Sequence, residues 1–175
     1  LNDYIDALLE SPVTVAISLL LGGVVLLYID KIFKSESQHL DHEPSNKSAF
    51  IIGLFQCIAM IPGVSRSAAT IIGGMQQKLN RKSAAEFSFF LAVPTMLAAT
   101  AYKFLKYIKG GGSFGSNELM LFGIGNLVAF FVALIAIKTF ISFLQKKGFK
   151  AFGYYRVIVG IILLVIHFFV MPLTI

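Results

Sequence analysis

The chain has 175 residues, 57% of them hydrophobic and only 14% charged, with a mean hydropathy of +0.80. A soluble domain carries about 25% charged residues and could not bury this much apolar surface, so composition points to a protein of the lipid bilayer. Hydrophobicity excludes intrinsic disorder; despite a net charge of +6 and a pI near 9.5, no continuous basic stripe supports nucleic-acid binding.

In chain order, the sequence opens Leu1-Asn2-Asp3 with no basic segment ahead of an apolar core. No signal peptide is expected, and the sequence reads as the inner part of a longer protein. Residues 13–29 form an almost uncharged run about one membrane thickness long in helical rise. A polar loop follows, in which His39, Asp41, His42 and Glu43 mimic metal-ligand spacing. They lie in mixed-charge sequence and are read as a solvated loop. Residues 48–60 are apolar but short, and the Pro62-Gly63 break separates them from a second short piece, 68–75. Neither reaches the roughly 20 residues needed to span. Two short helices around such a break predict a re-entrant hairpin, about 48–78, that returns to the side it entered. Irregular backbone at membrane depth is tolerated only against protein or a wet cavity, so a cavity is expected at 62–67.

Three further spans are expected at 84–102, 119–144 and 153–171, with a glycine-rich linker at 110–113 and Pro172 closing the last helix. The whole chain then forms a single membrane domain, 1–175, all-α and polytopic. Basic residues orient it. Lys31, Lys34, Lys47, Lys78, Arg81, Lys82, Lys146, Lys147 and Lys150 fall on one side; Lys103, Lys106 and Lys109 fall on the other. Nine against three places the first side in the cytoplasm. The lone cysteine, Cys57, has no second thiol for a disulfide or a metal site.

The chemistry gathers at Pro62-Gly63-Val64-Ser65-Arg66-Ser67-Ala68-Ala69-Thr70. Pro62 and Gly63 stop the incoming half-helix and turn the backbone. Ser65 or Ser67 can cap the outgoing half-helix, whose first N–H groups lack partners within the helix. Those groups and the positive end of the helix dipole favour an anion. Arg66 adds a planar fork of donors, and Ser65, Ser67 and Thr70 add hydroxyls. Gln56, on the incoming half-helix, either reaches the same cavity or bonds one helix to another. The plainer alternative is a simple helix cap with Arg66 snorkelling to the interface; against it stands the cost of an arginine within apolar sequence. On chemistry alone this is a site for phosphate or another anion, and it suits a transporter as well as an enzyme.

This stretch, with Gly53 and Gln56 before it and Gly73-Gly74 after it, closely resembles the second signature of the bacterial undecaprenyl-diphosphate phosphatase family, also called bacitracin-resistance proteins. Ala85-Glu86-Phe87-Ser88-Phe89, Ala92-Val93-Pro94, the run from Ala133 to Lys138, and Tyr155-Arg156 continue the match in order. Ala68 stands where the family usually has glycine. The family's first signature, a glutamate pair and a Ser- and His-containing hairpin, precedes the matching region.

The resemblance implies a phosphatase of the bacterial inner membrane that converts undecaprenyl diphosphate to undecaprenyl phosphate, recycling the carrier for cell-wall synthesis and conferring bacitracin resistance. It implies an inverted-repeat fold, of which this chain is one half, with a site open to the outer face. It also implies a divalent cation, magnesium or calcium, whose ligands belong to the other half. By position, Ser65, Arg66 and Thr70 match family positions linked to catalysis or phosphate binding; the site expected from the residues and the resemblance together has Arg66 and Ser65 as catalytic residues and Gly63, Ser67, Thr70 and Gln56 as phosphate contacts. A homodimer is a further expectation, and a flippase or transporter for an anionic lipid or solute is the alternative function.

The remaining polar residues are assigned structural roles. Glu86 is expected to pair with Lys82 at the interface, Lys138 to snorkel, and Arg156 to anchor the cytoplasmic end of the last helix. His167 is expected at an interface. Lys103, Lys106 and Lys109 are outer-side residues that snorkel or draw an anionic headgroup. Ala69, Gly73, Gly123 and Gly125 are expected at close helix contacts.

Overall fold

Four of the described helices start where a short polar side chain replaces a missing backbone partner. In the computed structural model, residues 11–33 and 44–170 are described, and all the regular secondary structure among them is helical. Ser11 caps α1 (Pro12–Ile32), with Pro12 in its first turn. Ser45 caps α2 (Asn46–Ile58), and Ser65 caps α3 (Arg66–Gln76). Asn80 caps α4 (Arg81–Lys109) by accepting from the Ser83 N–H at 2.8 Å. At α5 (Ser116–Lys147) the Glu118 carboxylate reaches back to the Gly115 N–H at 2.9 Å. Last comes α6 (Lys150–Val165), continued by a π-helical turn, Ile166–Val170.

Four helices, α1, α4, α5 and α6 with its π turn, are long and apolar enough to cross a membrane. The protein is an all-α, multi-pass membrane protein. Its long helices overrun the apolar stretches, because polar and basic ends such as Arg81-Lys82, Lys106–Lys109 and Lys146-Lys147 continue the helical hydrogen bonding beyond the hydrocarbon. The His39–Glu43 loop, Lys34, Pro172 and the first ten residues lie outside the described residues.

The closest seam joins α1 and α6 in antiparallel register. A Cβ on Gly23 would stand 3.0 Å from the Gly153 carbonyl oxygen, and one on Gly160 would stand 3.0 Å from that of Ala16. Such approach is possible only between small residues. Along the hairpin, Gly73 receives the Phe55 ring, while Gly74 faces Ala84 on α4. Gly123 and Gly125 behave differently from expectation: neither has an atom within 4 Å of its Cβ position, and the surrounding turns of α5 are exposed.

The core lies at one end of the bundle, where Leu26, Ile29, Ile52, Ile71, Ala85 and Leu144 are buried together. Asp30 ties that end. One carboxylate oxygen pairs with Arg81 at 2.8 Å, and the other accepts the Phe149 N–H at 2.9 Å. The expected Lys82–Glu86 pair does not form; the neighbouring Arg81 makes the ion pair instead. Lys31, Lys78, Arg81, Lys82, Lys146, Lys147 and Lys150 all belong to helix ends or connections at this Asp30 end. The hairpin rises from here. Its turn reaches Val15 and Ser18, in the far third of α1, about 22 Å of helical rise from Asp30.

Candidate functional site

The turn between α2 and α3 owes its shape to Gly63. Its φ of +84° lies in the left-handed region, and a Cβ there would sit 2.6 Å from the Val15 carbonyl oxygen and 2.9 Å from the Ser18 Cβ. Both the conformation and the close approach to α1 therefore require glycine. Two residues on, Ser65 Oγ accepts the Ala68 N–H at 3.2 Å and lies 3.2 Å from Ser67 Oγ. The cap leaves the N–H groups of Ser65, Arg66 and Ser67 without a hydrogen bond to the described chain.

Ser65 and Ser67 line a pocket of about 190 Å³ with Ala68, Tyr155 and Arg156, closed by Leu26, Ile71 and phenylalanines of α5 and α6. The expected cavity is thus present, but its polar lining differs from the expected set. Arg66 does not contribute to the lining. It is half-buried, and its side chain makes no ion pair or hydrogen bond among the described residues, so its five guanidinium donors remain free for an anion.

Thr70 is only 1% exposed. Its hydroxyl lies 2.6 Å from Ser88 Oγ on α4 and also donates toward the Arg66 and Ser67 carbonyls. It stands behind the turn and fixes α3 to α4. Gln56 Nε2 lies 3.4 Å from Thr95 Oγ1, the helix-to-helix role rather than a cavity contact.

Arg156 is the residue that sequence reasoning misplaced. Its helix begins at Lys150 rather than near 153, and the guanidinium lies over Gly22, midway along α1, instead of at an interface. From there Nη2 donates to the Gly63 carbonyl oxygen. The available signal was the rule applied to Arg66: an arginine within apolar sequence marks a functional interior. Ser88 was equally legible within its motif, but only the fold shows that it faces Thr70.

The donors at this turn are backbone N–H groups, hydroxyls and two guanidinium groups. That set suits an anion and opposes a cation. Among the described residues no three His, Cys, Asp or Glu side chains gather in a way that could hold a metal ion. The described residues therefore supply no ligand set of their own for a magnesium or calcium ion, whose ligands are expected in the other half of the fold.

The profile of the family described as bacitracin resistance protein BacA matches residues 1–162. The undecaprenyl-diphosphatase of Flavobacterium johnsoniae is 62% identical over 179 residues, covering 100% of this chain and 66% of the relative. That of Flavobacterium psychrophilum is 64% identical over 170 residues, covering 97% and 64%. That of Aquifex aeolicus is 47% identical over 156 residues, covering 89% and 60%. The chain thus spans about two thirds or less of the length of these relatives. With the match running through the hairpin, the Asp30 end and the last helix, the chain belongs to the bacitracin resistance protein BacA family.

Proposed function

We propose that the protein of which this chain forms a large part is a membrane phosphatase that hydrolyses undecaprenyl diphosphate to undecaprenyl phosphate and inorganic phosphate. The observation that carries this reading is the capped α3 N-terminus, with its unpaired N–H groups beside a pocket lined by Ser65, Ser67 and a guanidinium. Its support from likeness is the name shared by relatives 47–64% identical to the chain.

In this reading the diphosphate lies across the start of α3. The N–H groups of residues 65–67 receive its oxygens, and the free donors of Arg66 neutralise charge as the P–O bond breaks. Ser65 and Ser67 orient oxygens, and Thr70 keeps the turn in place from behind. Ser65 already caps α3 and has no described base beside it, so its role is to bind rather than to attack phosphorus. The attacking group comes from outside the described residues.

We place the Asp30 end in the cytoplasm of a bacterial inner membrane, because basic residues concentrate there. The turn then lies toward the outer face, where spent carrier lipid would arrive.

The test is phosphate release from undecaprenyl diphosphate by the full-length protein and its Arg66→Ala and Arg66→Lys variants. Losing transition-state donors of this kind lowers turnover by on the order of 100- to 1000-fold. Retained turnover in Arg66→Ala would remove Arg66 from catalysis. Vectorial movement of the lipid without phosphate release would replace the enzyme by a transporter.

A further inference from the structure

Arg156 carries charge into the middle of the bundle with no carboxylate to meet it. Among the described residues it makes no ion pair, its Nε is buried without a hydrogen-bond partner, and its one polar contact is the Gly63 carbonyl. That carbonyl belongs to the one residue of the turn held at positive φ. The turn is therefore wedged on one side against Val15 and Ser18 of α1 and held on the other by an arginine of α6. The side chain gains its route from Gly22, where a Cβ would come within 2.9 Å of Nη2. A lone guanidinium in apolar surroundings is costly, and a hydrogen bond to one carbonyl does not offset that cost by itself. Its placement is accounted for if it fixes the turn and leaves its remaining donors and charge at the pocket that Ser65 and Ser67 also line.

We propose that Arg156 is the positioning residue of the anion site. It holds the Gly63 carbonyl so that the α3 N-terminus keeps its N–H groups open to phosphate, and its positive charge raises the pocket's affinity for the anion. This rests on the reading of the turn as a phosphate site. Arg66 and Arg156 thus divide the work: Arg66 has free donors for the substrate, whereas Arg156 spends one on the backbone that shapes the site.

The experiment uses the full-length protein in detergent micelles and compares wild type with Arg156→Met, Arg156→Lys and Gly22→Ala. Amide hydrogen exchange is followed at the hydrogen-bonded amides of the turn, Val64, Ala68 and Ala69, and across α4, alongside phosphate release and its inhibition by inorganic phosphate. Loss of a charge-assisted hydrogen bond predicts exchange at the turn that is roughly 10- to 100-fold faster in Arg156→Met, with α4 unchanged. A kcat/KM lower by a similar factor and weaker inhibition by phosphate should accompany it. Arg156→Lys, which keeps a donor and the charge, should recover part of each effect. Gly22→Ala pushes the guanidinium aside by a small shift without removing it, so it should produce part of the defect in wild type and add nothing in the Arg156→Met background. Turn exchange within twofold of wild type in Arg156→Met would overturn the proposal. So would a Gly22→Ala effect as large with Arg156 absent as with it present. Should Arg156→Met lose its fold, Arg156→Lys and Gly22→Ala still decide. If wild type releases no phosphate, the phosphatase reading fails, while the exchange comparison still determines whether Arg156 holds the turn.

Discussion

Two hydroxyls 2.6 Å apart, on Thr70 and Ser88, show how much of this site consists of support. Thr70→Val keeps the shape but leaves the Ser88 hydroxyl buried beside a methyl group. That costs about 1–3 kcal/mol, or a fall in melting temperature of roughly 2–10 °C for a domain of this size. Combining it with Ser88→Ala should cost less than the sum of the single changes, since no orphaned hydroxyl then remains. A double-variant loss equal to the sum of the two single losses would mean that the contact contributes nothing. Gly63→Ala should be worse than either, because it demands a strained φ and a clash with a backbone carbonyl that cannot move aside. Its measurable signature is loss of both thermal stability and phosphate release. At this scale the sequence revealed residue types but not directions. Ser65 and Ser67 were legible as cap and hydroxyl lining because N-capping is local in the chain. Whether Thr70 faced a ligand or Ser88 depended on α4, 18 residues further along, and local spacing cannot resolve that.

The helices themselves were largely readable, since apolar runs of membrane length leave few alternatives and the Pro62-Gly63 break fixed the division between α2 and α3. Their partners were not. The seam between α1 and α6 depends on Ala16 and Gly23 meeting Gly153 and Gly160, positions separated by more than a hundred residues. The glycines of α5, equally noticeable in sequence, meet nothing described. A seven-residue spacing of small residues recurs on both α1 and α6, and it was the signal available for their close antiparallel contact. Gly153→Leu places a branched side chain against the Leu27 side chain and the Gly23 carbonyl, so it should cost at least 1–3 kcal/mol. The same change at Gly160 should act similarly through Leu20 and the Ala16 carbonyl. Thermal unfolding in detergent reads both, and unchanged melting would contradict an α1–α6 contact of this closeness. Because α1 and α6 together grip the turn, either change should also raise the concentration of inorganic phosphate needed to inhibit the proposed phosphate release.

For the molecule as a whole, the decisive question is whether α2 and α3 return to one side or cross together. Asp30 gives a physical reason for return. It binds the first residue of α4 through Arg81 and the entrance to α6 through the Phe149 N–H, so the exit of the hairpin is tied to the end of α1 from which the chain had just emerged. Asp30→Ala should therefore destabilise the protein more than Asp30→Asn, which loses the ion pair but can still accept the Phe149 N–H. The topology itself can be read with single cysteines, after Cys57, which is exposed, is replaced by alanine. Lys47→Cys precedes most of α2, Lys78→Cys follows α3, and Ser113→Cys lies in the linker between α4 and α5. In intact cells a membrane-impermeant maleimide should label Ser113→Cys alone, and permeabilisation should expose the other two. A hairpin that crossed would put positions 47 and 78 on opposite faces, so one of them would label before permeabilisation. Such a crossing would also require Pro62-Gly63 to sit mid-bilayer in a continuous span of two short helices, and would separate Arg81 from Asp30 by the thickness of the membrane. The 2.8 Å ion pair between these residues is the observation that favours return, and labelling of positions 47 and 78 on opposite faces would overturn it.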